Sequence, residues 1–119
     1  MRIAKLGGMV RGWFVGAFEP TLFHTSEVEV AVQRHAAGTE EAAHFHRIAT
    51  EITVLVSGLA EVNGVRVGPD DAIILAPGEV SAFRAVEDTV TVVVKLPGAL
   101  DDKYLVDAVG APGPEGEPT

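Results

Sequence analysis

The chain of 119 residues contains no cysteine. This excludes disulfides, thiolate metal sites and cysteine nucleophiles, so any metal must be held by nitrogen and oxygen. Basic residues are scarce, nine against seventeen acidic ones, for a formal net charge of -8. That balance argues against nucleic acid or an anionic membrane surface as a partner held by bulk electrostatics. Long apolar runs are missing as well. In MRIAKLGGMVRGWFVGAFEP, residues 1–20, glycines intervene before any such run develops. The sequence therefore predicts neither a secretory signal nor a membrane span, and the cytoplasm is the expected compartment. No segment carries a 3.6-residue apolar period over three turns, and no internal repeat or nucleotide-binding glycine pattern occurs, so a DNA-binding helix is not expected.

What the sequence does contain is strands. Between Glu27 and Val32 the order EVEVAV alternates at period two, which predicts a half-buried strand with Val28, Val30 and Val32 on its apolar face. Glu61 to Val67 (EVNGVRV) predicts a hairpin, because Asn63-Gly64 supplies the positive φ angles of a two-residue type I′ turn. Ile73 to Leu75 form a short apolar run closed by Pro77-Gly78, and Thr89 to Lys95 (TVTVVVK) form a long β-branched one. Strands punctuated by turns at intervals of roughly ten residues predict an all-β sandwich or barrel of antiparallel strands. The Pro-, Gly- and Glu-rich end APGPEGEPT, residues 111–119, is expected to be unstructured.

Two of the four histidines fall one residue apart in AHFHRIATE, residues 43–51. On a strand His44 and His46 project to one face, whereas on a helix they diverge by about 200°. Arg47 to Thr50 is short enough to connect into a strand that begins near Glu51, which brings a carboxylate opposite the imidazole pair. Two neutral imidazoles and one carboxylate suit a divalent cation such as iron, manganese, nickel or zinc, and leave coordination positions open for a small ligand.

The spacing from Gly38 through His44, His46 and Glu51 to Gly58 resembles the first signature motif of the cupin superfamily. The second cupin motif is recognisable in Gly68 to Phe83 (GPDDAIILAPGEVSAF), with one departure: Ser81 stands where many cupins carry a further histidine. The resemblance covers residues 20–97 and implies a cupin-type jelly-roll β-barrel whose mouth holds a metal through His44, His46 and Glu51, with the fourth ligand missing. Residues 1–19 are then a segment packing on the barrel or on a partner, and 98–110 a C-terminal segment. A looser likeness to short single-domain cupins, carried by GWFVGAFEP, RIATE and VVVKLPGALDDKYLV, implies no particular reaction.

Around this core, Arg34 continues the parity of the valines and is expected to point into the barrel as an anion-binding residue, with Ser81 bonding substrate or metal-bound water. His24 and His35 are expected to be solvated. Trp13 and Phe14 are expected to pack the N-terminal segment onto the barrel or a second subunit, and Tyr104, with Asp101, Asp102 and Lys103, to cross the mouth or join a subunit contact. If Glu51, Thr53 and Leu55 face inward, Ile52, Val54 and Val56 face out, and covering them favours a homodimer, in keeping with what the resemblance implies. The expected function is metal-dependent chemistry on a small polar molecule such as a sugar or keto-acid. Isomerisation or epimerisation is preferred to oxygenation because a cation stabilises an enediolate without redox change. The alternatives are a non-catalytic cupin that binds or senses a small ligand, and a metal-free scaffold.

Overall fold

The computed structural model describes residues 1–106 and the backbone of Pro112–Pro114. In chain order the strands are β1 (Trp13–Val15), β2 (Glu29–His35), β3 (His44–His46), β4 (Thr50–Ser57), β5 (Ala60–Val62) and β6 (Val65–Val67). They continue as β7 (Ala72–Leu75), β8 (Phe83–Ala85), β9 (Thr89–Leu96), β10 (Lys103–Val106) and β11 (Pro112–Pro114). Among the described residues the one helical element is the short turn Leu6–Gly8, and no helix is long and apolar enough to cross a membrane.

One layer is a five-stranded antiparallel sheet in the order β1-β2-β9-β4-β7. Facing it are two three-stranded sheets, β11-β10-β3 and β6-β5-β8, stitched together by bridges between His44 and Ser81 and between Glu40 and Arg84. The architecture is all-β and jelly-roll-like, as expected, but the layers remain open at the edges instead of closing into a barrel. Between them lie two small cores. Leu55 packs with Ala60, Val62, Phe83 and Ala85 at one end, and Trp13 with Ala31 and Val93 at the other. Trp13 thus anchors the N-terminal segment, whose strand β1 joins the large sheet. The end expected to be unstructured lies outside the described residues except for 112–114, whose backbone pairs with β10.

Local chemistry explains the turns. Asn63 and Gly64 both have positive φ (52° and 77°) and close the β5–β6 hairpin at Val62 and Val65. Gly58, which ends β4, is at φ 95°, and a Cβ there would come within 2.3 Å of the Asp88 carbonyl oxygen, so no other residue fits.

The parity of β2 is the reverse of the expected one. Glu29 and Ala31 are buried on the inner face, while Val30 and Val32 lie half-buried on the outer face. Across the register, β9 repeats the arrangement: Thr89, Thr91, Val93 and Lys95 are buried, and Val90, Val92 and Val94 are half-buried outside. The physical reason is an ion pair. Lys95 Nζ lies 3.1 Å from Glu29 Oε1 with both side chains fully enclosed, so the polar members of the alternation point into the molecule and the valines, Val93 apart, point out.

Candidate metal centre and its pocket

Strand β3 is three residues long and carries both histidines on its inner face, where each is buried. Two neighbours hold it. On one side Lys103, Tyr104 and Leu105 of β10 pair with His46, Phe45 and His44. On the other, His44 and Ser81 exchange both backbone hydrogen bonds, at 3.0 and 2.7 Å, which puts their side chains on one face.

Each imidazole is oriented by a backbone carbonyl. His44 Nδ1 lies 3.0 Å from the Ala42 oxygen and His46 Nδ1 lies 3.2 Å from the Asp102 oxygen. A carbonyl only accepts, so each Nδ1 bears the proton and each Nε2 presents a bare lone pair. His46 Nε2 is buried without a hydrogen-bond partner and faces Glu51 Oε2 at 3.8 Å. Ligand atoms of His44, His46 and Glu51 all lie within 4.8 Å of one another.

The turn between the histidines and Glu51 is built by Asp102, which is 1% exposed. Its carboxylate accepts from the amides of Arg47, Ile48 and Ala49 at 3.0–3.1 Å. One residue therefore fixes the His46 tautomer through its main chain and the approach of Glu51 through its side chain.

Burial sets the electrostatics. Desolvation pushes the His46 pKa down to about 4, assisted by the charges of Lys95 and His44. His44 is also lowered, mainly by burial. Glu51 is raised, again mainly by burial, with Lys95 opposing the shift and Glu41 adding to it. Both imidazoles are thus kept neutral, and the carboxylate is left short of compensating charge. An unpartnered imidazole nitrogen, a second lone pair and a desolvated carboxylate on one point fit a divalent cation.

The pocket in front of the triad is lined by Gln33, His35, Glu41, Thr53, Ser81 and Thr91, with Val62, Ile73, Leu75, Phe83 and Val93. Ser81 faces it, where a serine hydroxyl is a weaker ligand than the imidazole found in many cupins. Arg34 does not enter this pocket: it is exposed on the opposite parity, because the alternation of β2 is inverted. His35, expected in solvent, is half-buried, with its ring 4.7 Å from that of Phe83. His24 is exposed as expected. Tyr104 points away from the pocket, stacking on Phe45 at 5.5 Å with the Arg47 guanidinium over its ring at 4.4 Å. Sequence reasoning missed Glu41, Lys95 and Thr91, and the part Asp102 plays in the turn. The one available signal was the strand alternation, which reaches Thr91 and Lys95 once the polar face is taken as the inner one.

No protein-family model matches the chain, and no curated protein matches it. Solved structures do. An uncharacterised conserved protein with a double-stranded β-helix domain from Klebsiella pneumoniae is 30% identical over 62% of this chain and 66% of that one, with a TM-score of 0.58. An acetylacetone dioxygenase from Acinetobacter johnsonii is 17% identical over 76% of this chain and 63% of its own, at a TM-score of 0.64. An RmlC-like cupin from Ralstonia eutropha is 15% identical, covering 77% and 60%, at 0.63. The chain spans slightly under two thirds of the length of each. At these identities the last two show the fold alone.

Proposed function

We propose that the chain, whose fold is that of small cupin domains, is a metal-dependent isomerase or epimerase of a small polar carbonyl compound. The observation that carries the reading is the buried, unpartnered His46 Nε2 facing the Glu51 carboxylate at 3.8 Å. A divalent cation held by His44, His46 and Glu51, whether iron, manganese, nickel or zinc, would supply Lewis-acid polarisation of a carbonyl or hydroxyl oxygen.

The remaining work falls to the chain's own side chains. Glu41 and His35 border the pocket without belonging to the triad, and we assign them the proton transfer between adjacent carbons that isomerisation requires. Ser81 and Thr91 present hydroxyls to the substrate. The Thr91 hydroxyl is buried without a partner, a state that a substrate oxygen relieves. Apolar Ile73, Leu75 and Phe83 complete the wall and exclude water from the far side.

The test is proton exchange. Metal-loaded protein is incubated in deuterium oxide with aldoses, ketoses and 2-keto acids, and the carbon next to the carbonyl is followed by NMR. Exchange that Glu41→Gln suppresses while metal content holds supports the reading. Oxygen uptake without exchange sinks it in favour of a dioxygenase. The second reading, a binding or sensory cupin without turnover, is favoured by Ser81 in the place of the usual imidazole. Saturable ligand binding with neither exchange nor oxygen uptake supports that alternative.

The same fold supports a proposal on assembly. The outer face of the large sheet carries Val30 and Val32, Val90, Val92 and Val94, Ile52, Val54 and Val56, and Ile74 across four adjacent strands. Ile74 and Val56 are 66% and 52% exposed. The face measures roughly 500 Å² by strand length and spacing, near the upper end of apolar patches left on monomers. A second copy, meeting it sheet to sheet, is the occupant we propose. Light scattering at micromolar concentration is expected to report twice the chain mass, and a monomer there overturns the proposal.

A further inference from the structure

A second cavity adjoins the metal pocket. It is a cleft of about 540 Å³ at the edge of β2. The strand β1 pairs with β2 at Val30 and Ala31, and beyond Val32 the edge faces the N-terminal segment, so that Leu6, Met9 and Gly12 form one wall. Gln33, His35 and Glu41 line both cavities, so the two adjoin across these three side chains, with the triad on the inner side.

The charge of the cleft is opposite to that of the chain. The protein carries nine Lys and Arg against seventeen Asp and Glu, yet the cleft gathers Arg11, Arg34 and Lys103 with one carboxylate, Glu41. Arg34 and Lys103 make no side-chain hydrogen bond or ion pair among the described residues. Lys103 lies opposite His46 in the β3–β10 register, so its side chain leaves the same face of the sheet as the two histidines. It therefore stands between the triad and the outer part of the cleft.

We propose that this cleft seats an anionic group, a carboxylate or a phosphate monoester, on a small molecule whose other end reaches the His44, His46 and Glu51 pocket. The proposal rests on the function argued above and narrows its substrate class: a sugar phosphate or a polar dicarboxylic keto acid fits, a neutral sugar does not. Arg34 supplies a planar fork for the anion and Lys103 a point charge nearer the metal. Arg11 closes the group from the N-terminal wall. On this proposal the substrate-binding role expected for Arg34 would be filled from the cleft and not from the pocket between the layers.

Inorganic phosphate is a suitable probe, titrated calorimetrically into metal-loaded protein at neutral pH and low salt. Wild type is expected to bind it saturably, and Arg34→Gln with Lys103→Gln to weaken it by about tenfold or more with unchanged metal content by elemental analysis. Both side chains project from the strand surface, so the double variant is expected to keep the wild-type circular dichroism and unfolding midpoint. Single Arg34→Gln serves as the second variant if it does not. In His44→Ala/His46→Ala, which removes the metal, phosphate binding is expected to persist. Absence of saturable binding to wild type overturns the proposal. So does binding abolished by the histidine variant and untouched by the cleft variants, since the phosphate would then be a ligand of the metal. Loss of metal binding by wild type strikes the metal reading alone and leaves the cleft result to stand separately.

Discussion

Replacing Asp102 tests how the metal site is held in shape. Its carboxylate accepts hydrogen bonds from three consecutive amides, those of Arg47, Ile48 and Ala49. Ala49 is 1% exposed, so its amide loses its bond with no water to replace it, at about 1–3 kcal/mol. Arg47 and Ile48 are exposed, and water recovers much of their loss, leaving about 0.5–1.5 kcal/mol each. Asp102→Ala is therefore expected to cost about 4 kcal/mol of folding stability. Asp102→Asn keeps one acceptor oxygen and sets an NH₂ against an amide, for about 2 kcal/mol. The backbone carbonyl that orients His46 survives in both variants, whereas the turn that delivers Glu51 loosens. Zinc affinity is expected to fall by about 10- to 100-fold. Urea unfolding in the presence of chelator reads the first quantity, and competition with a chromophoric chelator reads the second. An alanine variant within about 1 kcal/mol of wild type, with unchanged zinc affinity, refutes the reasoning.

Three other outcomes follow from the same geometry. The sequence alone predicts that metal affinity falls below about pH 6 as imidazoles protonate, but the folded imidazoles are lowered, His46 to about 4. Occupancy at fixed total zinc is therefore expected to hold at pH 6 and to fall as pH approaches 4, where protonation of Glu51, raised by burial, adds to the loss; half-loss near pH 6.5 counts against the assigned ligands. In metal-free protein the lowered histidines bind fewer protons folded than unfolded, so their contribution to stability is present above pH 6.5 and drains away as pH falls toward 4, against an opposite contribution from the raised Glu51; a urea midpoint that falls no more over that window in wild type than in His44→Gln/His46→Gln contradicts the burial argument. Lys95→Met leaves Glu29 enclosed without its 3.1 Å partner and is expected to cost about 3–5 kcal/mol. Glu29→Met with Lys95→Met is expected to recover part of this loss, and a single variant of wild-type stability would show that the pair is not enclosed in solution.

The sequence carried the strand pattern because β-branched alternation and the Asn63-Gly64 turn are local signals. It also carried the convergence of His44, His46 and Glu51, since a strand, a short connection and a second strand leave few other geometries. The facing of β2 was not legible. The rule that the apolar side is the inner side fails where Glu29 pairs with Lys95 of a distant strand and the inner face lines a polar pocket, so Arg34 was assigned to the wrong side. The part Asp102 plays in the turn was hidden for the same reason: its partners at 47–49 are far away in sequence, and DDKY resembles any solvated loop. Glu41 sits in the loop before β3, where no periodicity marks a residue as facing a cavity. The open edges of the two layers depend on pairing between strands that no local pattern encodes.

Elemental analysis of tag-free protein purified without chelator, beside His44→Ala/His46→Ala, tests the central claim most directly. Close to one divalent metal per chain in the wild type, lost in the variant while the fold persists by circular dichroism, is the expected result. A wild type that holds no metal after reconstitution with iron, manganese, nickel and zinc, or a variant that retains it, contradicts the account.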